Sequence, residues 1–266
     1  MTVRARRIAR IALIALMTLH CTIAPTQRAQ AAREGAAAGT GLRRLTREDV
    51  VRRLAAGTDA VPPDLRRTDL SELDLSGLDF RRADLAGCRL TGAKLVRAAL
   101  FGVTLNGCDA SRADLTGAVL DVAALRGTNL TRAVLRDASL YATILVGADL
   151  TEADLTGARL IVAATDARMP RATLVGAKLG ADPGNQPMGI MRTDLTGADL
   201  SGADLSAADL RKAKLTRANL TGANLTNADV AGADLDGAVL RSIRGRETIR
   251  NLDRAQNVAA AIFDRP

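Results

Sequence analysis

From Thr193 to Lys212 the chain reads TDLTGADLSGADLSAADLRK, with leucine returning at every fifth position (Leu195, Leu200, Leu205 and Leu210). Toward the N-terminus the same spacing takes in Leu65, Leu70, Leu75, Phe80, Leu85, Leu90, Leu95, Leu100 and Leu105, then runs from Leu115 to Leu160. Two positions before each centre stands a small residue, usually Ala (Ala83, Ala93, Ala98, Ala113). The two positions after it are typically Thr or Ser, then Gly or Arg. On an α-helix five residues advance about 140° beyond a full turn, which would scatter these leucines around the axis. On a continuous strand an odd period sends successive centres to opposite faces. A chain that turns a corner every five residues, with each centre pointing inward, satisfies the pattern. Repeats of this kind stack into a solenoid.

The iterated Ala-Asp/Asn-Leu-Thr/Ser-Gly/Arg unit closely resembles the pentapeptide repeat family over residues 62–242. The resemblance implies an all-β solenoid, a right-handed, four-sided parallel β-helix of twenty residues per coil with short helical caps. Its coils would stack at about 4.8 Å. With each fully buried Leu contributing about 1.5–3 kcal/mol, a core almost without aromatics becomes reasonable. The best-known activity in the family is protection or inhibition of DNA gyrase by members that resemble duplex DNA through continuous acidic faces.

The register slips after Leu160, where the centres move to Met169, Leu174 and Leu179 before returning to multiples of five at Ile190. Between them Gly180–Pro187, with two prolines, predicts a loop leaving the solenoid wall near 180–190. Residues 32–61 read as a linker and capping helix. Thr46 and Asp49 resemble a capping box, Leu45, Val50, Val51 and Leu54 form an apolar stripe, and Gly57 offers a stop, which predicts a helix over 47–56. Residues 243–266, with Ile243, Ile249, Leu252, Val258, Ile262 and Phe263, form a C-terminal cap expected to be helical in part. In some members of the resembling family a C-terminal helix pairs two solenoids, so this tail is also read as a dimer contact.

Charge gives the chain two parts. The formal net charge is +8, yet residues 62–242 carry 21 basic and 22 acidic side chains. Residues 1–31 hold five Arg and no acid: a basic start from Arg4 to Arg10, a short apolar run from Ile11 to Leu19, and Ala29-Gln30-Ala31 as a small-residue cleavage site. This reads as a signal peptide cut after Ala31, so the chain is expected to be exported, to the periplasm, envelope or medium. A membrane association follows only if the segment is retained as an anchor. Cys21 lacks the small preceding residue that lipid attachment needs. The one histidine, His20, lies in this leader. The remainder thus has no imidazole for Ser-His-Asp or Cys-His catalysis or for a His-based metal site. No enzyme activity, cofactor or metal is expected.

Cys88 and Cys108, twenty apart, fall on the small interior position of stacked coils and are expected as buried free thiols, because parallel Cβ vectors suit a disulfide poorly. Outward positions form vertical columns of alternating sign: Asp69, Arg89, Asp109, Asn129 and Asp149; Asp74, Lys94 and Asp114; Asp194, Lys214 and Asp234. Mixed columns disfavour DNA mimicry, and no basic stripe or aromatic platform suits nucleic acid. One wall departs from polarity. Phe101, Val119, Val122, Tyr141, Ile144, Val146, Ile161 and Val162 gather at outward positions, with Ala124, Ala142 and Ala164 among them. A contiguous apolar patch usually marks a contact surface, here for an unidentified protein or self-association; the alternatives are intramolecular cover by the 180–190 loop or a flanking helix, or an exposed patch without a role. The expected function is an exported, non-catalytic protein-binding or scaffold module. The alternative is a cytoplasmic DNA-mimic regulator of a type II topoisomerase, should residues 1–31 not be a signal.

Overall fold

The structure, a computed structural model, describes residues 41–58, 60–181 and 191–264. The expected leader with His20 and Cys21, residues 182–190 of the expected loop and the centre at Ile190 lie outside the described residues.

Parallel bridges join residues twenty apart along four ladders, which makes the coil four-sided. Face 1 begins Asp64↔Asp84, face 2 Asp69↔Arg89, face 3 Asp74↔Lys94 and face 4 Asp79↔Ala99. The period-five centres and the small residues before them fill the interior as one continuous core of Leu and Ala, with Phe80 its largest side chain.

The repeat Ala113–Gly117 shows why the sequence takes this form, because each of its five N–H groups has a separate acceptor. Ala113 closes the corner on Ala110 O (3.1 Å), Asp114 donates to Ala93 O on the coil before (2.9 Å), and Leu115 and Gly117 donate to Val134 O (2.7 Å) and Arg136 O (2.8 Å) on the coil after. The remaining donor, Thr116 N–H, goes to Asp114 Oδ1 at 3.0 Å, and the Thr116 hydroxyl joins it at 2.6 Å. An acceptor-bearing side chain before the leucine therefore completes the backbone hydrogen bonding. The last residue of the unit has a left-handed backbone (Gly117 φ +65°), as the third residue of a type II turn requires. That conformation recurs at corner after corner, on Arg, Glu, Asp and Lys as well as Gly.

The first coil exposes a rung of carbonyls, and the N-terminal segment covers it. Strand β1 (Arg43–Arg44) pairs in parallel with β2 (Thr68–Asp69) beneath face 2, and Leu45 N–H reaches Asp69 O at 3.1 Å. Helix α1 (Arg47–Ala56) starts at Thr46 with a capping box to Asp49 and lies across the end of the core, burying Val50. Its Arg53 Nη1 donates to Asp64 O at 3.1 Å and its Arg47 Nη1 to Asp74 O.

The C-terminal segment forms a further coil rather than a continuous α-helix. Paired residues lie 20 apart at Asn224↔Arg244, 21 at Asp229↔Arg250, 22 at Asp234↔Gln256 and 23 at Val239↔Ile262, so each step along it takes six residues. Its helical content is three single 3-10 turns, Arg246–Thr248, Leu252–Arg254 and Val258–Ala260, each entered through a left-handed residue: Gly245, Asn251 and Asn257. The last pairing joins β5 (Val239–Leu240) to β6 (Ile262–Phe263), where β3 (Thr143–Ile144) and β4 (Val162–Ala163) form the middle pair of the chain.

Candidate functional site

Most outward columns compensate their own charge. Arg89 meets Asp69 (3.6 Å), Lys214 meets Asp194 (3.4 Å), and Asn129 Nδ2 donates to Asp109 Oδ1 (3.0 Å). Such partly exposed pairs are each worth on the order of 1 kcal/mol, and they leave no continuous acidic wall. The pattern breaks on faces 4 and 1. Face 4 runs Asp79, Ala99, Val119, Ser139 and Arg159; face 1 runs Asp84, Thr104, Ala124, Ile144 and Ala163.

The eight candidate residues divide by exposure. Phe101 (37% exposed) and Val119 (40%) present their side chains to solvent. Val122, Tyr141, Ile144 and Val146 are half-buried. Ile161 (5%) and Val162 (2%) are buried, contrary to their expected outward placement. The reason is a shortened corner. From Leu160 to Ala164 the chain advances in four residues, the left-handed residue is missing, and Val162–Ala163 extends as β4. One coil later, at the same corner, pairing partners lie 31 apart (Ala163↔Asp194), the mark of an eleven-residue insertion. The returning chain is anchored there. Met191 Sδ accepts the Tyr141 hydroxyl at 3.2 Å, and the buried Thr193 hydroxyl donates to Leu160 O. The outward apolar surface therefore ends at Tyr141, whose ring lies under the Arg159 guanidinium at 4.5 Å.

At two corners of this wall that lack the usual Asp, the coil below supplies the missing acceptor. Ala124 cannot serve Arg126 N–H, which goes to Asn106 Oδ1 at 2.8 Å; Ser139 leaves Tyr141 N–H to Asp121 Oδ1 at 3.0 Å. Neither Arg126 nor Asp121 stands out in the sequence, because a lone charge on a polar corner reads as solvated. The available signal was the loss of Asp two positions earlier. Arg126 is half-buried, and that burial lowers its pKa. Val122 is a β-branched residue at φ +62°, a conformation such side chains rarely adopt.

Among the described residues no group of His, Cys, Asp and Glu is placed to hold a metal ion, and no helix is long and apolar enough to cross a membrane. Cys88 and Cys108 are buried and unbridged.

The pentapeptide repeats profile matches in eight copies, over residues 64–100, 93–132, 133–161, 191–211 and 203–241, more than half of the chain. The chain is a pentapeptide repeat protein. Family membership gives the four-sided coil its right-handed sense. The profile passes over 162–190, where the pentapeptide repeat is broken by the short corner and the insertion. Among solved structures, HetL, a pentapeptide repeat protein involved in heterocyst differentiation regulation from the cyanobacterium Nostoc, is 29% identical over 82% of this chain and 94% of its own, with a TM-score of 0.46. Full-length QnrB1, a plasmid-mediated fluoroquinolone resistance protein, is 18% identical over 74% and 93%, with a TM-score of 0.34. A thylakoid-lumen pentapeptide repeat protein from Arabidopsis thaliana is 26% identical over 48% and 75%, with a TM-score of 0.29. A search of curated protein sequences returns no match.

Proposed function

We propose that this pentapeptide repeat protein is an exported, non-catalytic module that binds a protein through the surface shared by faces 4 and 1. The observation that carries the reading is the outward placement of Phe101 and Val119, together on one side of a solenoid whose equivalent positions elsewhere mostly carry Asp, Asn, Thr, Ser or Arg. Exposed aromatic and branched side chains grouped in this way favour contact over solvation. The basic leader with its apolar run and Ala29-Gln30-Ala31 supports export. The carboxylates of the wall, Asp79 and Asp121 among them, are engaged in corner bonds and ion pairs, which favours binding over catalysis.

Two measurements test this. Fractionation with N-terminal sequencing should find the mature chain outside the cytoplasm, starting at Ala32; a cytoplasmic chain starting at Met1 removes the export reading. Phe101→Asp and Val119→Asp should leave the circular dichroism unchanged while abolishing self-association in light scattering or partner capture from the envelope fraction. Unchanged association in both variants would dismiss the surface.

A further inference from the structure

We propose that the surface on faces 4 and 1 receives a protein segment that combines apolar side chains with a carboxylate, the carboxylate pairing with Arg126. This rests on the reading of that surface as a protein-binding site and specifies the chemistry of its partner.

Arg126 occupies the position just after a centre, which Arg66, Arg81, Arg136, Arg211 and Arg241 also hold. Arg66, Arg81 and Arg211 each have Asp two residues earlier and bond to it: Arg66 to Asp64 (3.0 and 2.9 Å), Arg81 to Asp79, and Arg211 to Asp209 (2.9 and 2.7 Å). At Arg126 the corresponding residue is Ala124. Arg136 and Arg241 likewise follow Val134 and Val239, but Arg136 pairs with Asp154 on the next coil (2.5 Å) and Arg241 is exposed, whereas Arg126 is half-buried. Among the described residues no carboxylate pairs with Arg126, although its side chain is half-buried. A cation partly removed from water without a counter-charge is costly, and an incoming carboxylate that accepts its planar N–H groups recovers that cost.

The surroundings define the rest of the ligand. Arg126 stands between Asn106 and Val146 in its own column, with Gly127 N–H donating to Val146 O at 3.1 Å, and beside Ala124 and Ile144 on face 1. These neighbours are uncharged. A phosphate or nucleic-acid backbone is held by clustered cations, whereas a single guanidinium bordered by apolar residues on its face 1 side suits one carboxylate on an apolar segment. Phe101, Val119 and Val122 continue the apolar surface across the adjoining corner. Val122 keeps its branched side chain there despite a backbone that favours glycine, as expected where an outward apolar group is needed for contact.

The test uses the full-length protein and three display libraries of apolar-rich dodecapeptides whose central residue is fixed as Glu, Gln or Lys. Glu-centred peptides should be enriched, and changing that Glu to Gln in a selected peptide should weaken binding at least tenfold by fluorescence anisotropy. Arg126→Met should remove the tenfold preference, and Arg126→Glu should transfer it to Lys-centred peptides. The peptide-side change needs no protein variant, so it decides the matter even if the Arg126 variants fold poorly. Gln- and Lys-centred peptides that bind as tightly as Glu-centred ones, and are lost in Phe101→Asp, would overturn the carboxylate while leaving the binding surface standing. Should no library bind better than it does to a Phe101→Asp, Val119→Asp double variant, both the carboxylate and the surface are overturned.

Discussion

Asp121 holds Tyr141 from one coil below: its Oδ1 accepts the Tyr141 N–H at 3.0 Å and the Ser139 hydroxyl at 2.5 Å. It thereby replaces the acceptor that Ser139 cannot provide to its own corner. Asp121→Ala leaves a partly buried backbone donor without this acceptor, and the expected loss is about 1–3 kcal/mol in urea denaturation. Asp121→Asn keeps a carbonyl oxygen in place and should recover most of it. Equal stability of the Ala variant and the parent would show that water serves the Tyr141 N–H equally well.

Val122 is a site where replacement should stabilise. Its left-handed backbone costs a β-branched residue about 1–2 kcal/mol, while glycine gives back about 0.5–1 kcal/mol in chain entropy. Val122→Gly should therefore raise stability by about 0.5–1 kcal/mol, read as a higher melting temperature, and weaken ligands of faces 4 and 1. The reciprocal change Gly117→Val, at φ +65°, should destabilise. A stability loss in Val122→Gly would mean that the packing of its side chain outweighs the strain.

Acid should unfold the solenoid through its corner carboxylates. Asp64 is lowered from 3.8 to about 2, chiefly by hydrogen bonding from the Arg66 side chain and then from the Arg66 backbone. Asp74 is lowered by the Ser76 side chain and backbone, and Glu152 by Arg132 and Arg171. Because these groups bind protons more weakly folded than unfolded, their contribution is present above their unfolded values, 3.8 for the Asp residues and 4.5 for Glu152, and is lost as pH falls through the lower folded values, about 2 for Asp64. The denaturation midpoint should hold from neutrality to about pH 5 and drop below it, less steeply in Asp64→Asn. A midpoint unchanged at pH 2 would contradict this.

Cys88 and Cys108 should resist alkylation in the folded protein. Both are buried, and burial, followed by the neighbouring Cys88, raises the Cys108 thiol well above its ordinary pKa. Peptide mapping after iodoacetamide at pH 8 should find both unmodified without denaturant and both modified in guanidinium chloride. Rapid native labelling would mean that the coils open locally at this level.

The solenoid was legible because only a corner every five residues keeps Leu65 through Leu160 on one side of the chain, and α1 over Arg47–Ala56 was legible from Thr46, Asp49 and its apolar stripe. A twenty-residue coil also placed Phe101 and Val119 outside. Ile161 and Val162 escaped because a four-residue step looks like a simple shift of register in the sequence, while in three dimensions it removes the turn that would have held them outward. At the C-terminus, Gly245, Asn251 and Asn257 recur every six residues and mark the left-handed entries to the last corners. That spacing was available in the sequence but hidden by an apolar content that also fits a helix.

The widening of the last coil bears on how long such a molecule can become. A rung identical to the first would invite another chain to continue the stack, and open strand edges are the usual route to fibrils. Here the final perimeter, with partners 23 apart at Val239↔Ile262, no longer matches the twenty-residue circuit of a first coil, and α1 already closes the opposite end. Mismatch at one terminus and a helix across the other disfavour end-on continuation of the coil by a second chain.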